Sequence, residues 1–160
     1  MTRFVLSIVA SLAIAAAQSP AFAQDRDTRE VSAYVMTEAG LARYTQATEN
    51  LAAVPDTGCA DSASDEMSID DQAAQIDAAP GAAAAIRAAG MTTREYVVFS
   101  WSLLQTGLAV WGQEQSGKLP ADANKANVDF YKKHRADWAR LEAMKSGCDS
   151  DDDSEDDGEN

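Results

Sequence analysis

The sequence predicts an all-α protein: a small helical bundle of three long and two short helices, trailed by a disordered acidic C-terminal tail. Apolar residues recur at three- and four-residue steps through three long stretches of the chain. A capping box, prolines and glycines punctuate the joints between helices, where such residues start and stop them. No stretch shows the strict alternation of a half-buried strand.

Residues 1–23 read as a cleavable secretory signal peptide. Arg3 supplies the positive end, Phe4 to Ala17 an apolar run too short to span a bilayer, and Pro20 with Ala21-Phe22-Ala23 the small-residue cleavage pattern. The expected location is therefore periplasmic or secreted, with a single folded domain over residues 24–148 and the tail over 149–160. The net charge of −13 argues against nucleic acid and anionic membranes as partners. Eight of the 26 acidic residues lie beyond Cys148, so the tail carries much of that charge.

The first long helix is expected from Thr28 to Val54, with Val31, Tyr34, Val35, Leu41, Leu51 and intervening small residues on its apolar face and Gly40 as a weak point. Pro55-Asp56-Thr57-Gly58 breaks the pattern, and Ala60 to Asp71 reads as an exposed acidic connector. Ser68 caps a short helix to about Asp77 that buries Ile69, Ala73 and Ile76. Pro80 and Gly90 then bracket a second short helix over Gly81 to Ala89.

Thr92 and Glu95 form a capping box, which opens a long helix running to about Ser116. Val97, Trp101, Leu104, Leu108 and Trp111 make one stripe along it, and Tyr96, Phe99, Leu103 and Val110 a second, so this helix is expected at the centre. Between Glu95 and Glu114 stand 18 uncharged residues, but five are Ser, Thr or Gln, which argues against stable membrane insertion once the leader is removed. The last long helix should start near Asp122 or Asn124 and end about Lys145, with Val128, Tyr131, Trp138, Leu141 and Met144 facing inward.

Through Gly90-Met91-Thr92-Thr93-Arg94-Glu95-Tyr96-Val97 and Asn127-Val128-Asp129-Phe130-Tyr131 the chain is similar to small exported helical bacterial proteins of uncharacterised function. The resemblance covers about half of the exported chain. It implies a helical fold and assigns no catalytic residues.

Two cysteines in an exported chain point to a disulfide, Cys59 to Cys148, tying the ends of the first and last long helices. Separated by 89 positions and accompanied by one histidine, they do not make a zinc set, so no metal is expected. His134 is the sole candidate for a general base or haem ligand; without a marked nucleophile or a Cys-x-x-Cys-His attachment sequence, it reads as a boundary histidine with one nitrogen in water. No cofactor is expected, and the balance of signals points away from catalysis.

The tail places Asp149, Asp151 and Asp153 at calcium-loop spacing, but Ser154 stands where glycine belongs and Asn160 where glutamate belongs. That leaves weak cation binding through carboxylate density. Two functions remain from this reading. One is an interaction module meeting an exported or cell-surface protein through a helix face. The alternative is a carrier holding a small apolar or aromatic ligand between the two C-terminal helices, at Trp101, Trp111, Tyr131, His134 and Trp138.

Overall fold

The computed structural model describes residues 20–55 and 67–145, with side chains at 25–55 and 67–144. These residues form seven helices and no strand: α1 (Pro20–Ala33), α2 (Glu38–Ala52), α3 (Ile69–Ala78), α4 (Ala82–Ala88), α5 (Thr93–Ser116), α6 (Lys125–Lys133) and α7 (Arg135–Lys145). Residues 1–19 of the expected 1–23 leader, both cysteines, most of the acidic connector and the whole tail lie outside the described residues. No described helix is long and apolar enough to cross a membrane.

The expected helix starts around α3 to α5 are present with their chemistry. Ser68 Oγ accepts from Asp71 N at 3.1 Å to open α3, and Asp27 of α1 adds its carboxylate to the Ile69 amide at 2.8 Å. Thr92 Oγ1 accepts from Glu95 N at 3.1 Å while the Thr92 amide donates to Glu95 Oε2 at 2.7 Å, completing the capping box. Accepting that amide, and the threonine hydroxyl, holds the Glu95 carboxyl below its usual range. Gly117 ends α5 at φ +72, a conformation only glycine adopts without strain.

Two of the three long helices expected from the sequence are each divided. Thr28 to Val54 is not one helix, because α1 stops at Ala33 and Thr37, in extended backbone, caps α2 by accepting from Gly40 N at 3.1 Å. The joint is held from across the fold. Asn127, 2% exposed, accepts from Met36 N at 2.9 Å and donates to Tyr34 O at 2.8 Å, so a buried side chain satisfies the groups that the missing helical turn leaves open. Gly40 lies not at this break but in the first turn of α2, where a Cβ would stand 3.2 Å from the Phe99 ring.

The C-terminal helix is likewise divided, at His134. Its amide reaches Phe130 O and Tyr131 O, its carbonyl accepts from Asp137 N and Trp138 N, and the Trp138 indole donates to Tyr131 O at 3.0 Å. A side-chain donor inserted into the backbone ladder in this way interrupts it.

α5 is the hub, packing against α1, α2, α3, α4 and α6, while α2 also packs on α4 and α7. One core cluster gathers Met36, Leu41, Tyr44, Ile86, Met91, Tyr96, Phe99, Trp138 and Leu141, with Tyr44 stacked on both Phe99 and Tyr96. A smaller one joins Val31, Ile69, Ala73, Val97 and Val98 across α1, α3 and α5. Over the latter lies an ion network: Arg94 grips Glu30 (Nη2 to Oε2, 2.7 Å) and Asp70 (2.9 Å), and Arg26 reaches Asp70 at 2.7 Å and Asp27 at 3.1 Å.

Candidate functional site

Of the two stripes expected on α5, the second is buried at Tyr96, Phe99 and Val110, whereas the first is buried only at Val97. Val98, Ser102, Thr106 and Val110, four residues apart, are all buried along its length. Ser102 and Thr106 can face inward because each hydroxyl donates to the carbonyl one turn back, at 2.8 and 2.7 Å, so burial leaves no polar group unpaired. Their small size lets α5 approach its neighbours closely. With that face inward, the rest of the helix is rotated outward below Trp101.

Leu104, Leu108 and Trp111 are therefore 56%, 60% and 62% exposed, a correction to their expected place in the core. They stand at helical steps of four and three and share one face. Of the four large apolar residues more than half exposed among the described ones, these are three, Val35 being the other.

Clefts flank this ridge. One of about 490 Å³ lies towards α1 and α3, lined by Asp25, Asp27, Met67, Trp101, Leu104 and Leu108 among others. A second, about 300 Å³, opens towards α6 and α7, with Leu103, Leu108, Gly107, Tyr131, Trp138 and Glu142 on its walls. The third, about 230 Å³, is bounded by Leu108, Ala109, Pro120, Asp122 and Val128. Leu108 belongs to all three.

The expected aromatic site is only partly assembled. Tyr131 and Trp138 stack at 5.8 Å between ring centres and line the second cleft. Gly107 admits the tyrosine, since a Cβ there would meet its hydroxyl at 3.3 Å, and burial pushes the Tyr131 phenol up. Trp101 lies on the other side of α5, where its indole donates to Gln72 Oε1 at 2.9 Å, and Trp111 projects from the ridge. So the two tryptophans of α5 do not face Tyr131 and Trp138 across one pocket.

His134 turns away from the clefts towards α2. Both ring nitrogens meet carboxylates, Nδ1 with Asp137 at 2.9 Å and Nε2 with Glu38 at 3.0 Å, in place of the water expected at one of them. Lys133, and then His134, hold the Glu38 carboxyl below its ordinary value. Among the described residues the hydrogen-bonding partners of this imidazole include no nucleophile, and no group of three or more His, Cys, Asp or Glu is placed to hold a metal ion.

The sequence carried one usable sign of the ridge, the long uncharged run of α5, but not which residues of it point out. No family model matches the chain, and no curated protein or solved structure matches it.

Proposed function

We propose that this chain is an exported, non-catalytic interaction protein that meets its partner through the Leu104, Leu108 and Trp111 face of α5. The observation that carries the reading is the concentration of exposed apolar side chains on one helix face, with clefts beside Leu104 and Leu108. Isolated exposed leucines are ordinary on a small protein, whereas two leucines and a tryptophan in line form a contiguous apolar patch of the kind partners cover. In this reading the leader directs export, a Cys59–Cys148 disulfide closes the domain, and the tail remains solvated with weak affinity for cations.

The test uses the exported-protein extract of the source cells. A partner captured by the wild type should be lost with Leu104→Ser/Leu108→Ser/Trp111→Ser while circular dichroism stays unchanged. A partner retained by that variant would overturn the reading.

The carrier alternative draws support from the cleft of about 300 Å³ beside Tyr131 and Trp138, where a planar apolar ligand would stack. It requires saturable binding of an apolar fluorescent probe that Trp138→Ala weakens. The ridge reading requires no such site.

A further inference from the structure

We infer that the partner segment docking on the α5 ridge is a cationic amphipathic helix. The inference rests on the interaction reading and adds the chemistry of the occupant.

Charge lining the clefts beside Leu104 and Leu108 has one sign, while at the Trp111 end Lys132 and Arg135 are already engaged by Gln113 and Glu114. The charged residues lining the three clefts are Asp25, Asp27, Asp122 and Glu142, and no lysine or arginine lines any of them. Asp27 is engaged by Arg26 and the Ile69 amide. Asp25, Asp122 and Glu142 are exposed and have no ion-pair partner among the described residues. The ridge itself belongs to the stretch from Tyr96 to Gln113, which carries no charge. Leucines bordered by unpaired carboxylates on separate sides are complementary to an apolar stripe flanked by lysine or arginine.

The shape agrees with that occupant. A straight ridge of i, i+4 and i+7 side chains, with furrows beside it, is the surface into which another helix interleaves its own ridges. A second copy of this chain fits poorly, because a two-fold contact through the same face sets each acidic rim against its own image. An anionic lipid surface meets the same repulsion.

The full-length protein would be titrated with a labelled peptide of roughly 18 residues, about five helical turns, bearing leucine on one face and lysine on the other. A companion peptide carries glutamate in place of lysine. The lysine peptide should bind saturably at one-to-one stoichiometry under physiological salt. Its Kd should weaken about tenfold with Leu104→Ser/Leu108→Ser and measurably with Asp122→Asn/Glu142→Gln, and the glutamate peptide should bind at least about tenfold more weakly. The replaced leucines are more than half exposed, so unchanged circular dichroism and melting confirm the fold in each variant.

Binding of the lysine peptide that ignores the leucine substitutions would overturn the inference, since it would reflect attraction to the acidic chain at large. Equal binding of both peptides, or saturable binding of neither, would also overturn it. So would sedimentation as a dimer abolished by the leucine substitutions, which would assign the ridge to a second copy. A natural partner captured through the ridge by a neutral or acidic segment would sink this inference and leave the interaction reading standing, whereas a partner indifferent to the ridge would remove both.

Discussion

Asn127→Ala tests the joint between α1 and α2, the feature on which the N-terminal half of the fold turns. The amide of Asn127 closes two backbone groups at once, the Met36 N–H at 2.9 Å and the Tyr34 carbonyl at 2.8 Å. Met36 is buried, so its orphaned N–H costs roughly 1 to 3 kcal/mol. Tyr34 O keeps a longer bond from Asn124 Nδ2 at 3.3 Å, which leaves about 0.5 to 1.5 kcal/mol to lose there. The sum, roughly 1.5 to 4.5 kcal/mol, should lower Tm by roughly 5 to 18 °C in a domain of this size. Differential scanning calorimetry reads it directly. Asn127→Asp separates the two bonds: an oxygen still accepts from Met36 N, but a second oxygen now opposes the Tyr34 carbonyl. That variant should be worse than Asn127→Ala at neutral pH and recover as acid restores a donor. A Tm within about 2 °C of wild type for Asn127→Ala would refute the clamp.

Other expected outcomes follow from the same contacts. Arg26, then Arg94, hold Asp70 below its ordinary 3.8, and Arg94 holds Glu30 below 4.5. These carboxylates contribute stability above those values and lose it as pH falls through their depressed folded values. Arg94→Met should therefore melt below wild type near neutral pH and converge with it in acid; a difference independent of pH would refute the linkage. The groups are substantially exposed, so added salt should shrink the difference too. Gly112→Ala meets open space and should raise stability by about 0.5 to 1 kcal/mol through helix propensity, measured by urea unfolding. Gly40→Ala should lower it, because the new Cβ stands 3.2 Å from the fully buried Phe99 ring; a gain there would contradict the packing of α2 on α5. If Cys59 and Cys148 close their loop of about 90 residues, as proposed, reduction should remove roughly 4 to 5 kcal/mol, and freely reactive thiols in the untreated protein would exclude that bond.

Elements whose signals are local were legible in the sequence. The Ser68 cap, the Thr92–Glu95 box and Gly117 each act within one turn, so residue types at fixed spacing were enough. The division of the first and last helices was not legible, because what holds each break comes from further away. Thr37 is a competent cap in any context, but the groups that a break there leaves open are met by Asn127, 91 positions from Met36, and by Asn124. The break at His134 goes with the Trp138 indole reaching back to Tyr131 O, a choice that an apolar pattern cannot express. In both places apolar periodicity ran on through the joint and suggested continuity.

The ridge was misplaced for a different reason, which concerns what a hydrophobic pattern measures. Reading α5 by side-chain polarity put Leu104, Leu108 and Trp111 inside and left Ser102 and Thr106 out of both apolar stripes. Transfer free energy favours that orientation by several kcal/mol in isolation, because burying two leucines gains roughly 3 to 6 kcal/mol over leaving them exposed. Two terms oppose it. Ser102 and Thr106 satisfy their own hydroxyls on the helix backbone, so their burial carries little of the usual polar cost. The other term is set upstream: Tyr96, Phe99 and Val98 lock the N-terminal half of α5 between α1, α2 and α3, and a rigid helix carries that rotation into its C-terminal half. The leucines are left outward by the phase of the helix rather than by their own preference. A surface that forgoes part of that burial would gain it back if a partner covered the ridge, and this deferred apolar burial is the thermodynamic ground for proposing binding at α5.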